Sequence, residues 1–167
     1  VFAIVLVAGQ LIAYSMGLGF ASMVDPASGI QVPVVAQILM ISSSLFFLGV
    51  NGHLLAIELL IDSFRTLPVG MVGLSRADLW AVILWSSEMF AGGVLLALPI
   101  ISTVLFINIS FGVASRAAPQ IQIFGIGFPV TIMVGMILIW ITLPYVVDTF
   151  EVFLSDGFQF IKQILRL

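Results

Sequence analysis

Cysteine is absent from this 167-residue chain, histidine occurs once, and charged residues make up only 8% of it. Without cysteine there is no disulfide and no thiolate metal site, and the redox compartment stays open. A zinc site would need partners for His53, and the sequence has no second histidine and no His-Glu-x-x-His pattern. No metal ligand set and no cofactor motif is predicted. Five basic against eight acidic residues give a net charge of −3, which supplies no nucleic-acid surface. Too few polar side chains remain to cover a water-soluble domain, in which roughly a quarter of residues are charged. The alternation of polar and apolar residues that marks a membrane barrel is missing too.

What is there is apolar. Hydrophobic residues make up 62% of the chain and mean hydropathy is +1.30. Val1–Val24, Met89–Ser115 and Ala117–Val147 carry no Asp, Glu, Lys, Arg or His. A bilayer crossing takes about 20 apolar residues at ~1.5 Å rise each. Backbone polar groups in lipid must be satisfied within the segment, so these runs are predicted to be helices. The expected class is an all-α membrane protein built of long hydrophobic helical hairpins. Val1 opens inside an apolar run without a basic flank, so it does not read as a signal peptide. The chain reads as part of a longer protein whose N-terminal portion is missing.

Four hydrophobic segments and an amphipathic tail are predicted. The first, Val1–Val24, ends at the turn-forming Asp25-Pro26-Ala27-Ser28-Gly29. The second runs from about Pro33 to Arg65 and stops at Pro68 and Gly70. The third begins near Asp78, a cap following Ser75, and runs to Pro99 or, kinked there, to Ser115. The fourth is Val130–Val147. From Phe150 onward, apolar residues at Phe153, Leu154, Ile161, Ile164 and Leu165 oppose Glu151, Ser155, Gln159, Lys162 and Arg166 at helical period. Four crossings would put Arg65 and Arg76 on the same side as Lys162 and Arg166, the cytoplasmic side by the positive-inside rule, and Arg116 opposite.

Within the second segment Gln37, Ser44, Asn51, Glu58 and Arg65 recur every seven residues. A heptad drifts only about 20° around a helix, so in a straight helix they form one polar seam, joined by Asp62 a turn after Glu58. A charge at mid-bilayer costs at least ~2.5–3.5 kcal/mol; such a seam must face a partner helix or a water-filled path. Glue between helices and the lining of a conduit both fit it. In the first segment Gly9, Ala13, Gly17 and Ala21 place a small residue every fourth position, the pattern that lets helix backbones approach closely. Arg116 and Glu88 join this set of packing and assembly residues. Glu88, beside Ser86 and Ser87, is expected to be a buried carboxylate, as a paired packing residue or a proton relay. His53 points away from the seam and is expected to be packed and hydrogen-bonded. Phe20, Met23 and the Asp25–Gly29 turn form an apolar-to-polar transition that fits a plain hairpin or a movable seal.

Three blocks of sequence resemble the FliR family of flagellar export-gate proteins. The first is Ala8-Gly9-Gln10 with Met16-Gly17-Leu18-Gly19-Phe20-Ala21 and Asp25-Pro26-Ala27-Ser28-Gly29. The second is Leu45-Phe46-Phe47 with Asn51-Gly52-His53 and Asp62-Ser63-Phe64-Arg65-Thr66-Leu67-Pro68-Val69-Gly70. The third is Ser115-Arg116-Ala117-Ala118-Pro119-Gln120 with Phe124, Gly127, Phe128 and Pro129. They stand in family order and span most of the chain; injectisome homologues share the third.

The resemblance implies a non-enzymatic part of a helical hetero-oligomeric export gate in the bacterial inner membrane, at the flagellar basal body. FliP and FliQ are the implied co-subunits, FlhB an associated protein, and unfolded flagellar proteins the cargo. It also implies a FliP-like part (residues 1–75, with the gate loop) joined to a FliQ-like part (76–167, with the amphipathic tail). Neighbouring subunits, as well as membrane lipid, would cover the apolar helices. By the same resemblance the loop around Phe20, Met23, Asp25, Pro26, Ser28 and Gly29 becomes a candidate plug, and the polar seam serves assembly. A small-solute transporter would show inverted repeats, and an intramembrane enzyme convergent ionisable groups; the sequence shows neither.

Overall fold

A computed structural model describes residues 1–20, 22–24, 31–67, 73–117 and 127–167. Five helices carry the fold: α1 (Phe2–Ser15), α2 (Val34–Gly49), α3 (Gly52–Thr66), α4 (Arg76–Ala117) and α5 (Phe128–Leu165). Between α1 and α2 lie a 3-10 turn, Leu18–Phe20, and two short strands, β1 (Ser22–Val24) and β2 (Gln31–Pro33). The strands pair antiparallel, with Ser22 opposite Pro33, Met23 opposite Val32 and Val24 opposite Gln31. Apart from this ribbon the described chain is helical, and its class is an all-α membrane protein.

The core forms around α1. Ile4, Val5, Ala8, Ile12, Ala13 and Met16 are buried, against Val35 and Leu39 of α2, Leu96, Ala97, Ile100 and Val104 of α4, and Ile139, Val146 and Phe150 of α5. It therefore draws on residues from both sides of residue 75. In an apolar surround burial of an Ile gains little from leaving water, so close packing holds the helices together, and glycine sets how close they come. A Cβ added at Gly9 would collide with the Ala36 backbone; one at Gly93 would lie 2.8 Å from Val7 Cγ1; one at Gly157 would lie 2.8 Å from Val1 Cγ2. Phe2, Phe46 and Phe150 add edge-on and tilted ring contacts at centroid distances of 5.2–6.2 Å.

Helices α4 and α5 form a long antiparallel hairpin. At one end Arg166, just past the end of α5, reaches Asp78 of α4 at 3.8 Å, and the Trp85 and Phe160 rings stack at 5.3 Å. Further along, Phe153 packs at Gly92. Towards the other end Thr131 Oγ1 lies 3.1 Å from Asn108 Oδ1. The start of α4 is the expected one: the Asp78 N–H donates to Ser75 Oγ, while the Ser75 N–H donates to the Asp78 carboxylate, a reciprocal cap.

Several boundaries differ from those predicted. The first segment stops being helical at Ser15, not Val24, because Gly17 turns the chain with φ +76°. The second is two helices meeting at a 68° bend, where Asn51 takes a left-handed φ of 57°. The third continues through Pro99, the longer of its two predicted extents, and the fourth merges with the tail into one helix containing Pro144. Among the described residues, four crossings thus give way to two helices long and apolar enough to cross a membrane, or three if the bent α2–α3 pair counts as one; α1 is shorter.

Candidate functional site

The ribbon stands directly on the end of the buried helix. As α1 closes, Ser15 Oγ donates to the Ile12 carbonyl at 2.7 Å, and the N–H groups of Met16 and Gly17 donate to Ile12 and Tyr14. A left-handed Gly17 then redirects the chain; a side chain there would be strained by φ and would meet the Phe128 ring. Pro33, with φ −59° and ψ 144°, ends β2 and hands the chain to α2. Helix, hinge and ribbon thus connect α1 to α2 at the edge of the core.

Beside the hinge lies a cleft of about 180 Å³ bounded by Tyr14, Ser15, Asn108, Phe111 and Thr131. Thr131 Oγ1 has two acceptors within reach, the Gly127 carbonyl at 2.9 Å and Asn108 Oδ1 at 3.1 Å; its one proton serves one of them at a time. This is the polar clasp between α4 and α5 at the ribbon end of the molecule. It went unnoticed in the sequence because Asn108 and Thr131 lie 23 residues apart, and only the hairpin pairing brings them together.

Of the candidate plug residues, Phe20 lies in the 3-10 turn and Met23 in β1, whereas Asp25, Pro26, Ser28 and Gly29 fall outside the described residues, as does Ala21. Gly9 and Ala13 are buried on α1, with Gly9 directly against Ala36 of α2. Gly17 lies past the helix end, a hinge and not a member of the small-residue stripe, because positive φ is incompatible with continuing α-helix.

The polar seam is broken. Gln37 and Ser44 lie half-buried on α2, with Ser44 Oγ donating to the Met40 carbonyl. Asn51 sits exposed at the bend, and Glu58 and Arg65 are exposed on α3. Arg65 and Asp62 pair at 3.4 Å, an exposed contact worth at most about 1 kcal/mol. The seam reading assumed a straight helix, and the bend swings its lower half away. Glu88 is exposed on α4, not buried, and Arg116 is exposed too. His53 is partly buried, but its Nδ1 is buried without a hydrogen-bond partner among the described residues, contrary to the expected satisfied histidine. Among those residues no group of three His, Cys, Asp or Glu side chains comes together. The close approaches at Gly92 and Gly135 were also missed; the Gly92-Gly93 pair within an apolar run was the available signal.

A helical frame around α1, with a ribbon rising from a glycine hinge, occupies the part of the chain that carries the first motif block. Residues 1–157 match the sequence pattern of a family described as bacterial export proteins, family 1. The chain belongs to that family. It is similar to flagellar biosynthetic protein FliR of Escherichia coli K12, 42% identical over 164 residues, covering 98% of this chain and 63% of the relative. The same protein of Pectobacterium carotovorum is 40% identical over the same shares. Surface presentation of antigens protein SpaR of Shigella sonnei is 24% identical over 80% of this chain and 51% of its own length. The chain thus spans less than two thirds of the curated relatives it matches. Membership of this FliR-type export family confirms the resemblance read from the three motif blocks.

Proposed function

We propose that this family member is a non-enzymatic component of the flagellar type III protein-export gate. In this reading it forms with FliP and FliQ the channel through which unfolded flagellar proteins cross the bacterial inner membrane at the basal body, with FlhB alongside. The observation that carries the proposal is the family match over residues 1–157, with FliR proteins among the relatives. The apolar surface left on α3, α4 and α5 supports a chain that other subunits and lipid must cover. The paired strands β1 and β2, next to the left-handed Gly17, support reading the candidate plug residues Phe20 and Met23 as part of a seal. An injectisome role is the second reading; it rests on the likeness to SpaR, at lower identity and coverage.

The test is a chimera in which these residues replace the matching stretch of Escherichia coli FliR, in cells lacking their own. Restored flagellin secretion and swimming, with FliP and FliQ co-purifying, is expected. A chimera that assembles with both partners yet exports nothing would count against the proposal.

A further inference from the structure

The first turns of α5 grip the residues on which the ribbon stands. Phe128, Thr131, Gly135 and Ile139 follow one another at helical spacing and share one face of the helix. That face meets the end of α1. A Cβ added at Gly17 would lie 2.9 Å from Phe128 Cε2, and one added at Gly135 would collide with Met16 Cε. Thr131, between them, is held to Asn108 of α4, so both helices of the hairpin share the grip. Any change of φ or ψ at Gly17 moves backbone that lies against the Phe128 ring.

Further along the hairpin, both helices carry a proline at one level. The contact of Asn108 with Thr131 on one side and of Gly92 with Phe153 on the other sets Pro99 opposite Pro144, and both prolines are exposed. Proline has no N–H, so the Leu95 and Trp140 carbonyls, four residues back, lose their helix donors. Hydroxyls beside each proline also bond back to the helix. Ser102 and Thr103 donate to the Pro99 carbonyl at 3.1 and 2.9 Å, and Thr142 donates to the Leu138 carbonyl at 2.7 Å. Prolines and such back-bonds are where helices bend; coinciding in two antiparallel helices, they cross the hairpin with one line of weakness. On one side of that line a lower arm packs on the start of α1, Gly93 against Val7 and Gly157 against Val1. On the other lies the arm that grips Met16 and Gly17. This upper arm carries no charged side chain from Ile100 to Ser115 or from Phe128 to Leu143, so its tilt drags no charge through lipid.

We infer that the hairpin is a lever: its upper arm, pivoting at Pro99 and Pro144, carries Phe128 and Gly135 off the Gly17 hinge and so releases the ribbon. Phe128 and Gly135 are positioning residues, acting on the ribbon through the hinge.

The inference rests on the export-gate reading, and the test separates the two. The full-length protein, in inside-out membrane vesicles with the rest of the gate, is oxidised as M16C/G135C, which ties the hinge to the upper arm. In parallel V7C/G93C ties α1 to the lower arm. Expected are at least tenfold less flagellin translocated by oxidised M16C/G135C, recovery on reduction, and no change on oxidising V7C/G93C. The stiffened P99A/P144A is expected to assemble with an unchanged or higher Tm and to export at least threefold more slowly. Equal translocation before and after oxidising M16C/G135C, a block by both cross-links, or wild-type rates from P99A/P144A would overturn the inference and leave the gate reading standing. Flagellin translocation that is the same with and without the wild-type protein would overturn both.

Discussion

Gly9 of α1 meets Ala36 of α2 so closely that no Cβ fits between them: one built on Gly9 would clash with the Ala36 Cα. This contact sets the spacing of the two helices that carry the ribbon. Gly9→Val is expected to force them apart and to cost about 1–3 kcal/mol, the usual range for overpacking. Gly112, with nothing within 4 Å of its added Cβ, is the control; Gly112→Ala is expected to stabilise by up to about 1 kcal/mol through helix propensity. Thermal unfolding of the detergent-solubilised protein separates the two, with Tm falling for the first variant and not for the second.

Ser43 is 1% exposed, and its hydroxyl has no hydrogen-bond partner among the described residues, although Ser42 and Ser44 on either side each donate to a carbonyl four residues back. Removing a buried, unserved hydroxyl relieves its desolvation penalty. Ser43→Ala is expected to stabilise by about 1 kcal/mol, read as a higher Tm. A loss of stability would mean the hydroxyl has a partner in the intact assembly.

Asn51 at φ 57° occupies a region that asparagine accepts and β-branched residues avoid. Asn51→Gly is expected to keep the α2–α3 bend, whereas Asn51→Val costs about 1–2 kcal/mol. Distances between spin labels at Gln37 and Arg65 check this: unchanged in the glycine variant, longer or broadened in the valine variant as the bend opens.

Much of the class was legible in sequence for a local reason. Helix formation at Phe2–Ser15, Met89–Ser115 and Phe128–Val147 follows from the scarcity of charge, and the Ser75–Asp78 cap follows from residues three apart. What was hidden is non-local or conformational. The heptad from Gln37 to Arg65 reads as one seam only if the helix is straight, and nothing in spacing alone reveals that Asn51 turns left-handed. Gly17 obeys the small-residue pattern of Gly9 and Ala13, yet leaves the helix. Glu88 was expected inside because a carboxylate among apolar residues normally hides; the single chain turns it outward. The clasp of Asn108 with Thr131 and the pairing of Asp78 with Arg166 needed the hairpin itself.

The most direct measurement is ion leakage. Cells or planar bilayers containing the full-length protein assembled with FliP and FliQ are compared with the same complex lacking Ala27–Gly29. A closed path in the first case and a steady ionic current in the second is the result that the plug proposal predicts. Equal, negligible conductance from both, with assembly intact, would contradict a plug at this position.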